Sequence, residues 1–193
     1  MGYSKEDLKI LREKTGVGMM DCKSALDEVN NDIQKAIELL RKRGIKVAEK
    51  KSSREAKEGI IDSYIHTGSK LGVLIEVSCE TDFVARNEEF KELTHDLVLH
   101  IAAKNPKYIS KDEVAADVLD KEREILKAQY KDKPDNVLNK IVEGKLQDFY
   151  KENCLLEQIF VKDDQRLIKD IITDKIAKFG ENILVKRFIR YDV

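Results

Sequence analysis

Leu71, Val73, Ile75, Val77 and Cys79 alternate with Gly72, Leu74, Glu76 and Ser78, the period of two that a half-buried strand requires. The period then changes. Phe90, Leu93, Leu97 and Ile101 recur at helical spacing, so a strand must feed a helix across a short junction. That junction is Glu80-Thr81-Asp82-Phe83-Val84-Ala85-Arg86-Asn87, an acidic, aromatic and aliphatic tip. Thr81 or Asp82 can cap the helix, because either side chain accepts from an unpaired N–H of the first turn. Phe83 has two readings. Seven residues before Phe90 it falls on the same helical stripe and belongs to the core; alternatively, a strand-held helix start presents it to a partner. Val84 lies off the stripe and is harder to assign to packing.

The rest of the chain supplies what surrounds this junction. Ser4 and Asp7 form a capping-box pattern, and Leu8 and Leu11 give the first helix its apolar edge. Gly16 and Gly18 interrupt it. Met19, Cys22, Ala25, Leu26 and Val29 make a second stripe ending at Asn30-Asn31, and Ile33, Ala36, Ile37 and Leu40 a third, expected to close at Gly44. Residues 1–44 are therefore expected to form a three-helix bundle, near the lower size limit for independent stability. Residues 45–58 have few large apolar side chains and many charges, the composition of a linker.

From residue 59 to 193 the expected order is β-β-α-α-α-α-β. Residues 59–67 form a strand turning at Gly68-Ser69 into the strand at 71–79. A helix over 83–104 stops at Asn105-Pro106. Ser110 and Glu113 suggest a second capping box opening a helix toward Tyr130, and Pro134 separates it from a stripe of Leu138, Ile141, Val142, Leu146, Phe149 and Tyr150. Residues 155–161 are extended or looped. Ile168, Ile171, Ile172, Ile176 and Phe179 mark a last helix ended by Gly180, and residues 183–191 a last strand. The fold class is α+β: a helical bundle, then a helix-rich core with a small antiparallel sheet made of a hairpin and a distant C-terminal strand.

Composition narrows the function. Of the residues, 41% are hydrophobic and 38% charged, with a net charge of −1, so no global field calls for nucleic acid or an anionic membrane. The basic stretch from Arg41 to Lys57 offers an RNA-binding alternative, but no aromatic side chain is interleaved to stack on bases. Cys22, Cys79 and Cys154 are odd in number and widely spaced, which fits a reducing cytoplasm and not a disulfide framework. No apolar run approaches a membrane span, and no signal-peptide pattern opens the chain. There is no phosphate-cradling Gly-x-x-x-x-Gly-Lys-Ser/Thr loop, and His66, His95 and His100 complete no metal-ligand spacing. His100 reads as a packed, hydrogen-bonded histidine. No nucleophile has a base near it in sequence, so the chain carries no sign of enzymatic chemistry, though an active site dispersed along the chain stands as a third reading.

The segment from Ser78 to Asn87 resembles the signature of the elongation factor Ts family, guanine-nucleotide exchange factors of elongation factor Tu. A second match, Leu11-Arg12-Glu13-Lys14-Thr15-Gly16-Val17-Gly18-Met19-Met20-Asp21-Cys22-Lys23, lies near the N-terminus. Further familial stretches are His100-Ile101-Ala102-Ala103, Glu152-Asn153-Cys154-Leu155-Leu156-Glu157-Gln158 and Gly180-Glu181-Asn182-Ile183. They occur in the family's order over almost the whole chain. Ser78, Val17 and Ile159 stand where Asn, Ala and Pro are usual. The chain is also short, one core module without the helical insertion of longer members.

The resemblance implies a division of labour. The N-terminal bundle corresponds to a ubiquitin-associated-like module, with Arg12, Thr15, Gly16, Val17, Gly18, Met19 and Met20 as partner contacts. Thr81, Asp82, Phe83 and Val84 match the segment that dislodges the partner's magnesium. Nucleotide and metal then belong to elongation factor Tu, and this chain needs no cofactor of its own. The expected partners are that GTPase and a second copy of the chain, paired through the 59–193 core; nucleic acid and membrane are not expected. The competing reading is a ribosomal accessory protein that uses residues 41–57 to hold RNA.

Overall fold

The computed structural model describes residues 3–193. Its first three helices are α1 (Lys5–Thr15), α2 (Met19–Glu28) and α3 (Ile33–Lys51). Ser4 and Asp7 make the reciprocal capping box, with the Asp7 N–H donating to Ser4 Oγ at 3.0 Å and the Ser4 N–H to Asp7 Oδ2 at 3.0 Å. Gly16 ends α1 at φ +67°, a left-handed conformation that glycine adopts without strain. The helices enclose Leu11, Cys22, Ala25, Leu26, Ala36 and Leu40. Gly44 does not close the third helix as its sequence suggested. The helix continues through it to Lys51, so residues 45–51 of the expected linker are helical. Gly44 is small for another reason: a Cβ there would lie 3.3 Å from Cβ of Ala177.

Strands β1 (Glu58–Ile65), β2 (Leu71–Cys79) and β3 (Leu184–Asp192) form one antiparallel sheet in the order β1-β2-β3. Between β2 and β3 lie α4 (Asp82–Ala85), α5 (Glu88–Lys104), α6 (Ala116–Gln129), α7 (Asp135–Asn153) and α8 (Ile168–Phe179). The α+β class is as the sequence implied. The single helix expected over 83–104 is two, because Asn87 restarts it: its Oδ1 accepts from the Glu89 N–H at 2.9 Å, and its carbonyl accepts from Phe90 and Lys91. Ser110 and Glu113 do not cap α6. Residues Lys111–Glu113 form a separate 3-10 turn, whose Glu113 carboxylate accepts from the Ile109 N–H at 2.8 Å.

The chain divides into two compact units. One comprises residues 1–62, 76–94 and 170–186; the other comprises 63–75, 95–169 and 187–193. In the first, Val77, Cys79, Phe90, Leu93, Ile172, Ile176 and Val185 are buried. In the second, Val73, Ile75, Leu97, Ile101, Leu155 and Ile168 are buried, and α6 and α7, the two helices expected on either side of Pro134, form a helical hairpin around Leu126, Val142 and Leu146. His100 is the packed histidine the sequence suggested. It is fully buried, with Nε2 2.9 Å from Gln158 Oε1 and Nδ1 accepting from the Val161 N–H. Gln158 in turn donates to the Glu152 carbonyl at 2.7 Å, which gives two of the familial stretches one shared structural role.

The second unit also carries an apolar sheet face. Leu74 is exposed while Val73 and Ile75 are buried. Ile65 lies over Gly72, where a Cβ would come within 2.9 Å of its Cδ1. Ile189 and Tyr191 are exposed, whereas Arg190 between them donates from Nε to the Ala102 carbonyl of α5. These four side chains therefore share the face away from the helix.

Candidate functional site

The tip is a one-turn helix set on the end of β2. Thr81, not Asp82, is its cap: the Thr81 hydroxyl accepts from the Val84 N–H at 3.4 Å. Asp82 occupies the first helical position and pairs with Arg86 at 3.1 Å, both side chains being solvent-exposed. Phe83 is 82% exposed. The core reading of this residue is excluded, because counting seven back from Phe90 assumes a continuous helix and Asn87 breaks it. Val84 is half-buried.

The base of the tip is held by a carboxylate that sequence reasoning gave no role. Glu181 Oε2 accepts from the backbone N–H groups of Glu80 and Thr81, each at 3.1 Å, and its Oε1 accepts from the Thr81 hydroxyl at 2.6 Å. The reverse bond is also present. Glu80 Oε1 accepts from the Asn182 N–H at 2.7 Å, and its Oε2 faces Arg54 Nη1 at 3.3 Å. The Asn182 N–H, and after it Arg54, holds the Glu80 carboxyl below the ordinary glutamate range. Asn182 Nδ2 donates to the Arg54 carbonyl at 2.7 Å. Behind the tip, burial and then the neighbouring Glu181 push the Cys79 thiol up to about 11, so this cysteine stays a neutral packing residue.

The second group of candidate residues surrounds the turn between α1 and α2. Thr15 donates to the Leu11 carbonyl at 2.7 Å, and the buried Cys22 sits beneath Val17, its Sγ 3.7 Å from the Val17 carbonyl. Met19 is 46% and Met20 75% exposed, so Met19 is not the core residue its helical stripe implied. Arg12, Gly16, Val17, Gly18 and Met19 line an open groove of about 870 Å³ that Glu89 and Lys178 complete. Lys178 bonds Glu89 at 2.6 Å and Lys175 bonds it at 2.9 Å, which keeps the Glu89 carboxyl below its usual range. Thus the two sets of predicted residues belong to the same unit, one around the N-terminal groove and the other at the Thr81–Val84 tip. Among the described residues no group of His, Cys, Asp and Glu is arranged to hold a metal ion, and no helix is long and apolar enough to cross a membrane.

The family described as Elongation factor TS matches residues 5–193. The chain belongs to the elongation factor Ts family. A protein named Elongation factor Ts from Thermodesulfovibrio yellowstonii is 55% identical over 194 residues, covering 100% of this chain and 97% of its own length. Those of Thermotoga maritima and Fervidobacterium nodosum, with the same name, are 52% and 55% identical, again over 100% of this chain and over 97% and 99% of theirs. Membership places the chain in the elongation stage of protein biosynthesis.

Glu181, Asn182, Glu89 and Lys178 are the residues that sequence reasoning missed. The familial stretch Gly180-Glu181-Asn182-Ile183 was the available signal for the first two. Nothing local to Glu89 or Lys178 connects them with Gly16.

Proposed function

We propose that the chain is a guanine-nucleotide exchange factor that binds elongation factor Tu carrying GDP and promotes GDP release by disturbing the partner's magnesium and phosphate site. GTP then rebinds. The observation that carries this reading is Phe83, a large aromatic side chain left 82% exposed at the end of a turn whose base is tied by several hydrogen bonds. Leaving such a group in water is unfavourable unless a partner covers it. In this reading Phe83 wedges between partner elements, Asp82 perturbs the helix that carries metal-site residues, and Thr81 and Val84 shape the turn. The metal bridges the nucleotide's phosphates in P-loop GTPases, so displacing it loosens the nucleotide. Reciprocity completes the cycle: whatever weakens nucleotide binding is itself weakened by nucleotide, and incoming GTP expels the factor. No covalent chemistry and no cofactor of this chain enter the scheme.

The bundle of residues 1–44 serves as the affinity module, joined through residues 45–58, helical as far as Lys51, to a 59–193 core. Its contacts are Arg12, Thr15, Gly16, Val17, Gly18, Met19 and Met20. The core pairs with a second copy, supported by the apolar face of Ile65, Leu74, Ile189 and Tyr191 and by the two open sheet edges. The setting is the cytoplasm, with neither nucleic acid nor membrane as direct partner. The RNA alternative is weakened by ion pairing: Arg41 bonds Asp170, Arg43 bonds Glu28 and Arg54 bonds Glu80, which removes three of the segment's charges from the pool available to phosphates. Release of a fluorescent GDP analogue from purified elongation factor Tu, with and without the chain, tests the proposal. Unchanged release at saturating chain would refute it.

A further inference from the structure

We propose that Glu181 is a positioning residue for exchange, setting the aim of the Phe83 tip through bonds that no part of the tip's own sequence provides. This rests on the reading of Thr81–Val84 as the exchange tip.

The argument starts from what a one-turn helix lacks. Residues Asp82–Ala85 form too few internal hydrogen bonds to fix their own direction, since helical turns are cooperative and a single turn is unfavourable alone. Something outside the turn must hold it. The Glu181 carboxylate does this by accepting three bonds from two successive residues: both N–H groups of Glu80-Thr81 and the Thr81 hydroxyl. Two N–H bonds converging on one oxygen restrict rotation about that stretch of backbone. The third bond takes the hydroxyl's only proton, leaving the oxygen's lone pairs for the Val84 N–H. One carboxylate therefore orients both the strand end and the helix cap, and Phe83 lies between the Thr81 hydroxyl and the Val84 N–H that it caps.

Glu181 is itself fixed. Gly180, at φ +69°, turns the chain out of α8, and the next residue, Asn182, is buried and bonded to Glu80 and to the Arg54 carbonyl. The bonds are reciprocal, 80 to 182 and 181 to 80–81, which makes a closed ring of contacts and not a single tether. Such a ring is stiff, and a wedge must be stiff to transmit displacement instead of bending away.

The test is a cycle of variants in stopped-flow GDP release from elongation factor Tu, measured against factor concentration, with urea denaturation of each variant alongside. Glu181→Ala is expected to lower the maximal release rate several-fold and by no more than the roughly 8–70-fold that Phe83 itself can supply, the effect of loosened positioning. The half-saturating concentration should move less than about threefold, as the groove supplies affinity. Glu181→Gln should restore much of the rate, because its amide accepts from both N–H groups and can donate to Thr81 Oγ1. The decisive comparison is made in the Phe83→Ala background, where Glu181→Ala should have almost no further effect. If it slows release equally with and without Phe83, or acts only in proportion to lost folding, the positioning role is overturned while the tip reading stands. If Phe83→Ala alone leaves release unchanged in a folded protein, it is the tip reading that fails.

Discussion

Replacing Phe83 by Ala separates packing from function at one residue. At a buried site the change costs about 3–5 kcal/mol of folding stability. Phe83 is 82% exposed, and exposed positions away from caps and networks usually change stability by no more than about 0.5 kcal/mol. Urea denaturation of the variant should therefore nearly superimpose on that of the parent. The functional loss follows from the surface still available. Complete burial of a Phe contributes about 1.5–3 kcal/mol, so its exposed fraction leaves about 1.2–2.5 kcal/mol to be gained on a partner. If that energy is realised only as the nucleotide leaves, stimulated GDP release slows by a factor of roughly 8–70. Stopped-flow release at saturating factor reads this directly. Two results would refute the reasoning: a loss of several kcal/mol in stability with normal release per folded molecule, or unchanged release with unchanged stability.

Further expectations concern other parts of the molecule. Met20→Ala, at a side chain 75% exposed beside the groove, should raise the concentration of factor needed for half-maximal release several-fold (about 1 kcal/mol of lost contact) and leave the maximal rate alone; titration of release against factor checks it. Gly59→Ala should destabilise the first unit by about 2–4 kcal/mol in urea denaturation, because its Cβ would stand 2.2 Å from the Val77 carbonyl oxygen with φ at +154°. Burial, with Lys104 adding to it, holds the His100 pKa below its ordinary 6.5, so the unfolded chain binds the extra proton. Stability from this residue is fully present above about 6.5 and declines as pH falls below that value toward the folded pKa, so His100→Gln should flatten the slope between about pH 7 and 5.5 in denaturation curves. Tyr191→Asp on the apolar sheet face should shift light scattering from dimer to monomer, and a parent protein already monomeric at micromolar concentration would refute the pairing.

What could be read from the sequence was whatever depends on neighbours a few positions away. Alternation from Leu71 to Cys79 delivered β2 to the residue, and the Ser4–Asp7 box delivered the start of α1. The misreadings share a cause: a period was extended across a point where a single side chain changes the backbone's course. Asn87 ends the helical stripe that a continuous period would carry back to Phe83, and Gly44, a stop by residue type, is a small residue beneath Ala177 inside a longer helix. The Glu181 clamp was not legible for the opposite reason. Its partners are a hundred residues away in the chain, and hydrogen-bonding capacity alone does not say which backbone a carboxylate will meet. The familial stretch around it marked the place without disclosing the bonds.

The arrangement of two surfaces on one unit bears on how an exchange factor of this kind would work. Energy that holds the factor equally well to the GDP-bound and nucleotide-free partner increases occupancy but accelerates nothing. A groove formed by Arg12, Gly16, Val17, Gly18 and Met19, distant in sequence from the tip, is suited to that uniform contribution. Acceleration needs an element that gains contact only once the partner has moved. A flexible Phe83 would find apolar contact by adjusting itself and would leave the partner's metal site in place. Held by Glu181 and by the ring through Glu80 and Asn182, a Phe83 acting as proposed would gain contact chiefly by making the partner adjust. In the proposed scheme the size of the tip also matters: at about 1.4 kcal/mol per tenfold in rate, one phenylalanine would yield an acceleration that incoming nucleotide could still oppose, whereas a larger buried wedge would trap the partner in its emptied form.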